Sequence, residues 1–230
     1  MSVRHTHRSR NSCRFVFCSS IFCSVIFCCL ICFFLLLPPL GVDALAQKPA
    51  PAIAITLDPA AVSIRWTLNT TIHTVHGTFR LKNGRFKIDP ATGDASGLIV
   101  IDATSGESAD SGRDKRMHTE VLQSAQYPTI TFRPTHVEGK IDLAATGSVS
   151  ASGPVQVDGV LNLHGQDHPL KIAVNLHPQG AGVALATHFT VPFVAWGLKD
   201  PSTFIFRTDK EVILDVDLTA VPFVDPARPR

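Results

Sequence analysis

A two-residue alternation of apolar and polar side chains recurs in closely spaced segments along most of this chain. The segment 62–69 has an apolar residue at every second position, namely Val62, Ile64, Trp66 and Leu68. Successive side chains of a β-strand point to opposite faces, so this period predicts strands. Eight or nine such segments joined mostly by short turns, without strand–helix–strand alternation, favour an antiparallel sandwich or a closed barrel.

Two short sequences predict where neighbouring strands turn. Asn83-Gly84 lies between two alternating segments and predicts a hairpin, because both central residues of a type I′ turn need positive φ. Gly165-Gln166-Asp167 separates two further alternating segments and predicts a second short turn. Both sequences therefore favour antiparallel pairing of strands that follow one another in the chain.

One stretch departs from the alternation and predicts a helix. Residues 112–123 are mostly charged or polar, and their sparse apolar residues are spaced as on one helical face, at Met117, Val121 and Leu122. The pattern breaks at Tyr127-Pro128 and returns to alternation in the next strand. We therefore expect one short helix near residues 113–123, inserted between strands.

The first 46 residues have the order of features of a secretory signal peptide. Four arginines precede an apolar run from Phe15 to Leu37, and Ala44-Leu45-Ala46 supplies a small-x-small cleavage pattern before Gln47. An uncleaved N-terminal anchor is the alternative, because about 20 apolar residues can span a bilayer. In either case we expect the folded part to be periplasmic or secreted.

The rest of the chain divides into a lead-in, one domain and a tail. We predict a flexible lead-in over 47–56, one β-domain over 57–222 and a disordered tail over 223–230. All six cysteines lie in the leader, so the domain has no disulfide, thiolate metal site or thiol nucleophile. Without the leader's four arginines and Asp43, 17 basic and 18 acidic residues remain, and such a neutral domain is a poor nucleic-acid binder.

The sequence gives little support for catalysis or metal binding. The closest histidine pairs are His73 with His76 and His164 with His168. Residues three apart on a strand face opposite ways, and the second pair has no obvious third ligand. No Gly-x-Ser-x-Gly elbow is present, and the serines cluster in turns. We therefore predict a protein that is not an enzyme and that has no metal and no cofactor.

Three blocks resemble one known family. They are GRD, LQSA and YPTITF within 112–132, VDGVLNLHG at 157–165, and DPA at 58–60 ahead of Trp66. In this order they resemble the YceI-like family of periplasmic polyisoprenoid-binding proteins, over roughly residues 55–220. The resemblance implies an all-β, antiparallel, lipocalin-like barrel of about eight strands, with an elongated apolar tunnel and the short helix packed near the barrel.

The chain departs from the family pattern at two sites. A His-Ser pair usually follows the opening DPA, whereas Ala61 and Val62 stand here. An Arg commonly stands four residues before a glycine near the C-terminal end, whereas Phe193 stands four residues before Gly197 here. Both sites are polar in the family and apolar here, so any headgroup contact that they make in relatives is absent from this chain.

The candidate binding residues follow from the faces assigned inward. We expect a set of mid-strand apolar residues to line the tunnel, namely Trp66, Phe132, Leu161, Leu163, Ile172 and Val174. Arg113 has two alternatives: it pairs with a barrel carboxylate or covers apolar surface, or it lies at the tunnel mouth and contacts a phosphate or carbonyl headgroup. Asp114 complements the positive end of the helix dipole.

These expectations define a function and a rival. The resemblance implies an exported lipid-binding protein that encloses an isoprenoid-like or other long apolar chain for carriage or storage. The rival is a non-catalytic structural or stress-response barrel whose core is filled by its own side chains. For the lipid-binding protein, the expected partner is a long-chain isoprenoid or amphiphilic lipid. A homodimer and a transient membrane contact are further expectations.

Overall fold

The computed structural model describes residues 52–139, 141–143, 149–151, 153–179 and 182–222. The predicted leader and the predicted C-terminal tail lie outside these residues. The strands, numbered in chain order, are β1 (Ile53–Leu57), β2 (Val62–Asn69), β3 (Thr74–Ile88), β4 (Ala95–Glu107), β5 (Thr129–Glu138), β6 (Ile141–Leu143), β7 (Val149–Ala151), β8 (Val155–Leu163), β9 (Gln166–Gln179), β10 (Gly182–Val191) and β11 (Val212–Pro222).

Eight of these strands close into an antiparallel barrel. Their order is β3-β2-β11-β10-β9-β8-β5-β4, and β4 pairs back with β3 to close the ring. Strand β1 pairs with β3 beyond the end of β2, and β6 and β7 form a separate two-stranded ribbon. The prediction of an all-β, lipocalin-like barrel of about eight strands with one short helix is confirmed.

Alternation along each strand separates the barrel interior from its outer surface. Inward residues are aliphatic or aromatic, and outward residues form ion pairs between strands. Arg65 of β2 lies 2.6 Å from Asp217 of the neighbouring β11, and Arg133 of β5 lies 2.6 Å from Asp167 of β9, across the intervening β8. Because these pairs are largely exposed, each contributes little to stability, and burial of the inner face carries the fold.

The domain begins earlier than the sequence suggested. Residues 53–56, assigned above to the flexible lead-in, form β1, and a 3₁₀ turn at Pro59–Ala61 leads from it into β2. The Asp58 carboxylate caps this turn by accepting the backbone N–H of Ala60 at 2.9 Å. This short segment alternates, and its apolar residues Ile53, Ile55 and Leu57 pack into the core. The Ala and Pro residues around it made the alternation hard to recognise in the sequence.

The predicted hairpin at Asn83-Gly84 is wrong. Strand β3 continues through both residues, and Gly84 pairs with Leu57 of β1 on one edge and with Ile99 of β4 on the other. The register with β4 shifts between Leu81 and Asn83, so the Asn-Gly sequence accompanies a bulge rather than a turn. A Cβ at Gly84 would lie 2.7 Å from the Leu57 side chain, so this close approach accounts for the glycine.

The turn between β8 and β9 is shifted from its predicted position. His164 and Gly165 form it with φ of 55° and 77°, whereas Gln166 and Asp167 already belong to β9. Positive φ at both central residues is the type I′ geometry that matches the twist of two paired strands. The hairpin was therefore predicted correctly, and only its turn residues differ.

The predicted helix is present in the β4–β5 connection. Helix α1 (Ser111–Arg116) continues into a π-helical turn at Met117–Val121. Its N-cap is Asp110, whose carboxylate accepts the Arg113 backbone N–H at 2.9 Å, and this bond lowers the pKa of Asp110. Asp114 lies in the first turn, as expected for a residue that complements the helix dipole. No helix in the described part of the chain is long and apolar enough to cross a membrane.

Candidate functional site

The barrel interior contains two adjoining cavities. The inner cavity, of about 230 Å³, lies toward β1, and the outer cavity, of about 580 Å³, lies toward α1 and the β10–β11 connection. Five residues line both cavities and form what we call the shared ring: Ile64, Ile101, Leu161, Phe189 and Val216. The two spaces therefore meet inside the barrel, at the level of this ring.

The inner cavity is apolar on every side. Thr187 is the one residue in its lining with a polar side chain, and its hydroxyl donates to the Ala173 carbonyl at 2.8 Å. A cavity needs two to four polar partners to hold an ordered water, and this wall offers none that is free. The inner cavity is therefore suited to hydrocarbon rather than to water or to a polar ligand.

The outer cavity is apolar in its depth and polar at its mouth. Trp66, Leu163 and Phe193 belong to its wall, whereas its rim includes a set of polar side chains, namely Thr70, His73, Arg113, Arg116, Thr203 and Thr208. The Trp66 Nε1 is buried and has no hydrogen-bond partner among the described residues. An amphiphile would thus find apolar walls inside and hydrogen-bonding groups at the entrance.

All seven residues singled out from the sequence line this interior. Phe132, Ile172 and Val174 lie on the inner cavity, and Trp66 and Leu163 lie on the outer one. Leu161 lies on the shared ring, and Arg113 lies on the rim of the outer cavity. The structure brings them together, and their role as ligand contacts stays a prediction.

Ser108 and His73 are the partners of the Arg113 guanidinium at the mouth. Its Nε donates to the Ser108 hydroxyl at 2.8 Å, its Nη2 donates to the Ser108 carbonyl at 3.4 Å, and its Nη1 lies 3.5 Å from His73 Nε2. Within the described residues no direct ion pair joins Arg113 to a carboxylate, and the Ser108 hydroxyl that accepts from its Nε donates in turn to the Asp114 carboxylate. Because a guanidinium has five N–H donors, some remain available to a ligand.

Comparison with known proteins decides the family. The model of the YceI-like domain matches residues 55–220 of this chain, which is most of its length. The chain belongs to the YceI-like family. A UPF0312 protein of Vibrio cholerae is 31% identical to it over 150 residues, which cover 62% of this chain and 73% of that protein.

One solved structure shares the fold of this chain, and a second is less similar. The crystal structure of BcnA from Burkholderia cenocepacia has a TM-score of 0.57 at 19% identity, and the match covers 72% of this chain and 99% of that one. A polyisoprenoid binding domain from Saccharophagus degradans has a TM-score of 0.49 at 19% identity, covering 72% and 97%. At these identities the BcnA comparison concerns the fold alone.

The connection between β10 and β11 covers part of the barrel end at which the outer cavity opens. Phe193 and Leu198 are buried in the core beside Leu161 and Leu163. Trp196 stacks on His168, with ring centroids 4.2 Å apart and planes 2° apart. Phe193, one of the two departures from the family pattern, thus lies on the wall of the outer cavity. The other departure, Val62, lies on the inner cavity.

Sequence reasoning missed several lining residues of this YceI-like interior. Four shared-ring residues were not among those expected to line the tunnel, although the alternation that contains Val216 and Leu218 marks an inward face of β11. Phe193 and Leu198 lie in an irregular loop, so no period identifies them. The inward face of every strand could therefore have been assigned from its alternation. The contacts of Phe193 and Leu198 are evident only in the closed barrel.

The histidine pairs considered as metal ligands have other partners. His164 Nε2 lies 3.1 Å from Gln123 Oε1, and its ring packs against Tyr127 at 4.1 Å. His168 instead stacks on Trp196. Across the part of the YceI-like domain that the structure describes, no group of three or more His, Cys, Asp or Glu side chains is placed to hold a metal ion.

An ion-pair cluster joins the helical segment to the connection between β10 and β11. The Glu120 carboxylate accepts from Lys199 Nζ at 2.7 Å and lies 3.6 Å from Arg116 Nε. The hydrogen bond from Lys199 is the main reason that the pKa of Glu120 lies below its usual value. We call this cluster the latch, because it spans the rim of the outer cavity between the two segments.

We expect Glu120→Gln to accelerate ligand entry and release at neutral pH by about two- to fivefold, because an exposed ion pair contributes little energy. Because the folded-state pKa is lowered, the latch is intact above the ordinary carboxylate value of about 4.3 and is lost as pH falls through the lower folded value. Stopped-flow exchange of a fluorescent fatty acid measures both effects.

Glu138→Gln is the matched control for this prediction. It removes an exposed ion pair with Lys171 at the opposite end of β5 from the helical segment, and it should leave exchange unchanged. Equal exchange rates for wild type and Glu120→Gln at neutral pH would contradict a role for the latch.

Proposed function

We propose that this protein is an exported, non-catalytic binding protein that encloses one long apolar chain, isoprenoid-like or fatty, for carriage or storage. The observation that carries the proposal is the pair of adjoining cavities, apolar throughout the barrel and polar at one mouth. The resemblance to polyisoprenoid-binding proteins of the YceI-like family points in the same direction.

Burial of hydrocarbon supplies the affinity in this proposal. Removal of apolar surface from water contributes about 25 cal/mol per Å², or about 0.8 kcal/mol per CH₂ group. Since the inner wall has no free polar group, it selects a chain by length and shape rather than by hydrogen bonds. The apolar residues at Val62 and Phe193 fit a ligand that is pure hydrocarbon at those depths.

The unfilled interior separates this proposal from its rival. A structural or stress-response barrel with a filled core would have side chains in the space between the shared ring and the mouth. The outer cavity, of about 580 Å³, lies within the range of about 300–1,000 Å³ that is usual for small-molecule sites. The space therefore supports a ligand-holding role.

Export is a further part of the proposal and rests on the leader. An arginine-rich start, an apolar run and Ala44-Leu45-Ala46 fit a cleaved signal peptide. The intact mass of the exported protein tests it, because cleavage after Ala46 gives a chain that begins at Gln47. A mass that retains the leader would support the uncleaved anchor instead.

A series of prenyl alcohols of increasing length tests the binding proposal. We expect the Kd of the purified protein to fall with each added prenyl unit until the chain fills both cavities, and then to level off. The measurement is equilibrium displacement of a fluorescent fatty acid. A Kd that does not depend on chain length would contradict enclosure in the barrel.

Arg113 allows the headgroup to be tested separately. We expect Arg113→Met to weaken binding of a prenyl phosphate by about 10- to 100-fold, since hydrogen bonds to charged groups contribute about 1.5–3 kcal/mol. Binding of the prenyl alcohol of equal length should stay within about twofold, because burial of its chain is unaffected. Isothermal titration calorimetry measures both ligands.

Arg85→Met is the control for loss of a positive charge. Arg85 is an exposed residue of β3 and lies on neither cavity. An equal loss of phosphate binding in Arg113→Met and Arg85→Met would contradict a local headgroup contact and would indicate an effect of net charge.

A further inference from the structure

Four large apolar side chains are exposed together beside the mouth of the outer cavity. They are Ile72 (62% exposed), Phe204 (98%), Ile205 (74%) and Phe206 (49%), and we call them the apolar tip. Leu98 of β4, at 42%, is the one other large apolar residue among the described residues with comparable exposure. Such clustering is unusual on a soluble surface and marks an interaction site.

Hydrogen bonds hold the two loops of the apolar tip side by side. The Thr71 N–H donates to the Arg207 carbonyl at 3.0 Å, and Thr70 pairs with Thr208 as an isolated β-bridge. The Thr203 N–H donates to the Phe206 carbonyl at 2.7 Å, which closes a tight turn with Phe204 and Ile205 at its centre. The fold thus presents two apolar side chains at the end of an ordered turn.

The apolar surface of the tip continues into the barrel. Ile72 and Phe206 are exposed and also line the outer cavity, together with Thr203 and Thr208 on the rim. A hydrocarbon chain could therefore pass from an apolar medium that covers the tip into the cavity along apolar side chains. A protein surface placed over the tip would offer no such source of hydrocarbon.

The charges around the mouth favour a lipid surface as the partner. Three acids there already have cationic or N–H partners: Asp200 pairs with Lys210, Glu120 pairs with Lys199, and Asp110 caps the helix, which leaves the exposed Asp209 as an acid without an ion pair among the described residues. Arg113 and Arg207 form no ion pair with a carboxylate within the described residues. Unpaired guanidinium groups beside an exposed apolar turn match a bilayer surface, where phosphates lie above the hydrocarbon.

We propose that the apolar tip inserts into the surface of a lipid bilayer, so that the mouth of the outer cavity opens onto the membrane. Phe204 and Ile205 enter the region between headgroups and acyl chains, and Arg207 contacts lipid phosphates. This inference rests on the proposed function, because it identifies the surface from which the enclosed chain is taken or to which it is delivered.

Vesicle co-sedimentation tests the inference on the exported protein. The test uses phosphatidylcholine vesicles alone and vesicles with about a third of anionic phosphatidylglycerol. We expect Phe204→Ser combined with Ile205→Ser to lower the partition coefficient at least tenfold on both. Arg207→Gln should remove only the increase due to the anionic lipid. Leu98→Ser, the matched control, replaces an exposed apolar residue of β4 that lies on neither cavity, and should partition like wild type.

Three results would overturn the inference. They are vesicle binding by the double variant equal to that of wild type, no vesicle binding by wild type, and a tip substitution that changes the oligomeric state in solution instead. The last would identify a second copy of this chain as the partner of the tip, and light scattering coupled to size exclusion measures it.

Binding of a prenyl alcohol in the absence of vesicles distinguishes this inference from the proposed function. Phe204 and Ile205 lie on neither cavity, so the double variant should bind a prenyl alcohol in solution with the affinity of wild type. It should take up the alcohol from vesicles more slowly. If the wild-type protein inserted into vesicles but bound no prenyl alcohol, the proposed function would be contradicted. The inference about the tip would stand.

Discussion

Val216→Phe is expected to weaken binding of long prenyl chains by about a hundredfold while leaving short chains almost unaffected. Val216 lies on the shared ring, where the outer cavity meets the inner one. A phenyl ring there would fill the passage and keep the end of the chain out of the inner cavity. Loss of only four buried CH₂ groups costs about 3 kcal/mol, which corresponds to roughly a hundredfold in Kd.

The control for this prediction lies on the same strand. Ile213→Phe adds the same ring to the outer face of β11, between the inward residues Val212 and Leu214, and should leave every Kd unchanged. Because an unfilled space receives the ring in Val216→Phe, we expect its unfolding free energy to stay within about 1.5 kcal/mol of wild type. Undiminished binding of long chains by a folded Val216→Phe would contradict a single continuous tunnel.

Gly77→Val is expected to destabilise the barrel by about 3 kcal/mol or more. Gly77 of β3 pairs with Trp66 of β2, and a Cβ built on it would lie 2.2 Å from the Glu107 carbonyl and 2.3 Å from the Trp66 indole. Neither neighbour can yield easily, since one is backbone and the other is a buried aromatic wall of the outer cavity. Overpacking of this kind costs about 1–3 kcal/mol, and the strand backbone must move as well.

Urea unfolding followed by tryptophan fluorescence measures this loss, and Gly112→Ala serves as the contrast. A Cβ at Gly112 meets only the Asp110 carboxylate at 3.4 Å, in the first turn of α1. Alanine should therefore leave the unfolding free energy unchanged or raise it by about 0.4–1 kcal/mol, since it restricts the unfolded chain. Equal stability of Gly77→Val and wild type would show that the barrel accommodates a side chain under Trp66.

Local pattern was sufficient to predict the strands and the helix, whereas the choice of a barrel over a sandwich came from the family resemblance. The alternation in β2, β8 and β9 assigns inward faces directly, and this is why residues such as Leu161 and Ile172 lie where the sequence placed them. The helical spacing of Met117, Val121 and Leu122 likewise turns one face toward the outer cavity. In each case the buried side chains repeat with the period of the backbone, so the pattern within one segment is enough to assign its buried face.

The errors arose where long-range pairing overrides a local signal. Asn83-Gly84 favours a turn in isolation, but β3 pairs with β1 and β4 on its two edges and continues through it. Strand β1 was missed because its pairing partner lies some 30 residues further along the chain, at 84–88. The buried loop residues Phe193 and Leu198 have no period at all, and only the closed barrel brings them onto the cavity wall.

Native mass spectrometry of the protein, purified without detergent, tests the central claim most directly. Our account predicts a mass above that of the polypeptide by one hydrocarbon chain of defined length, which organic solvent removes and gas chromatography identifies. The emptied protein should regain a comparable mass when the same chain is added back. A folded protein that carries no lipid and takes up none of the added prenyl or fatty chains would contradict the account.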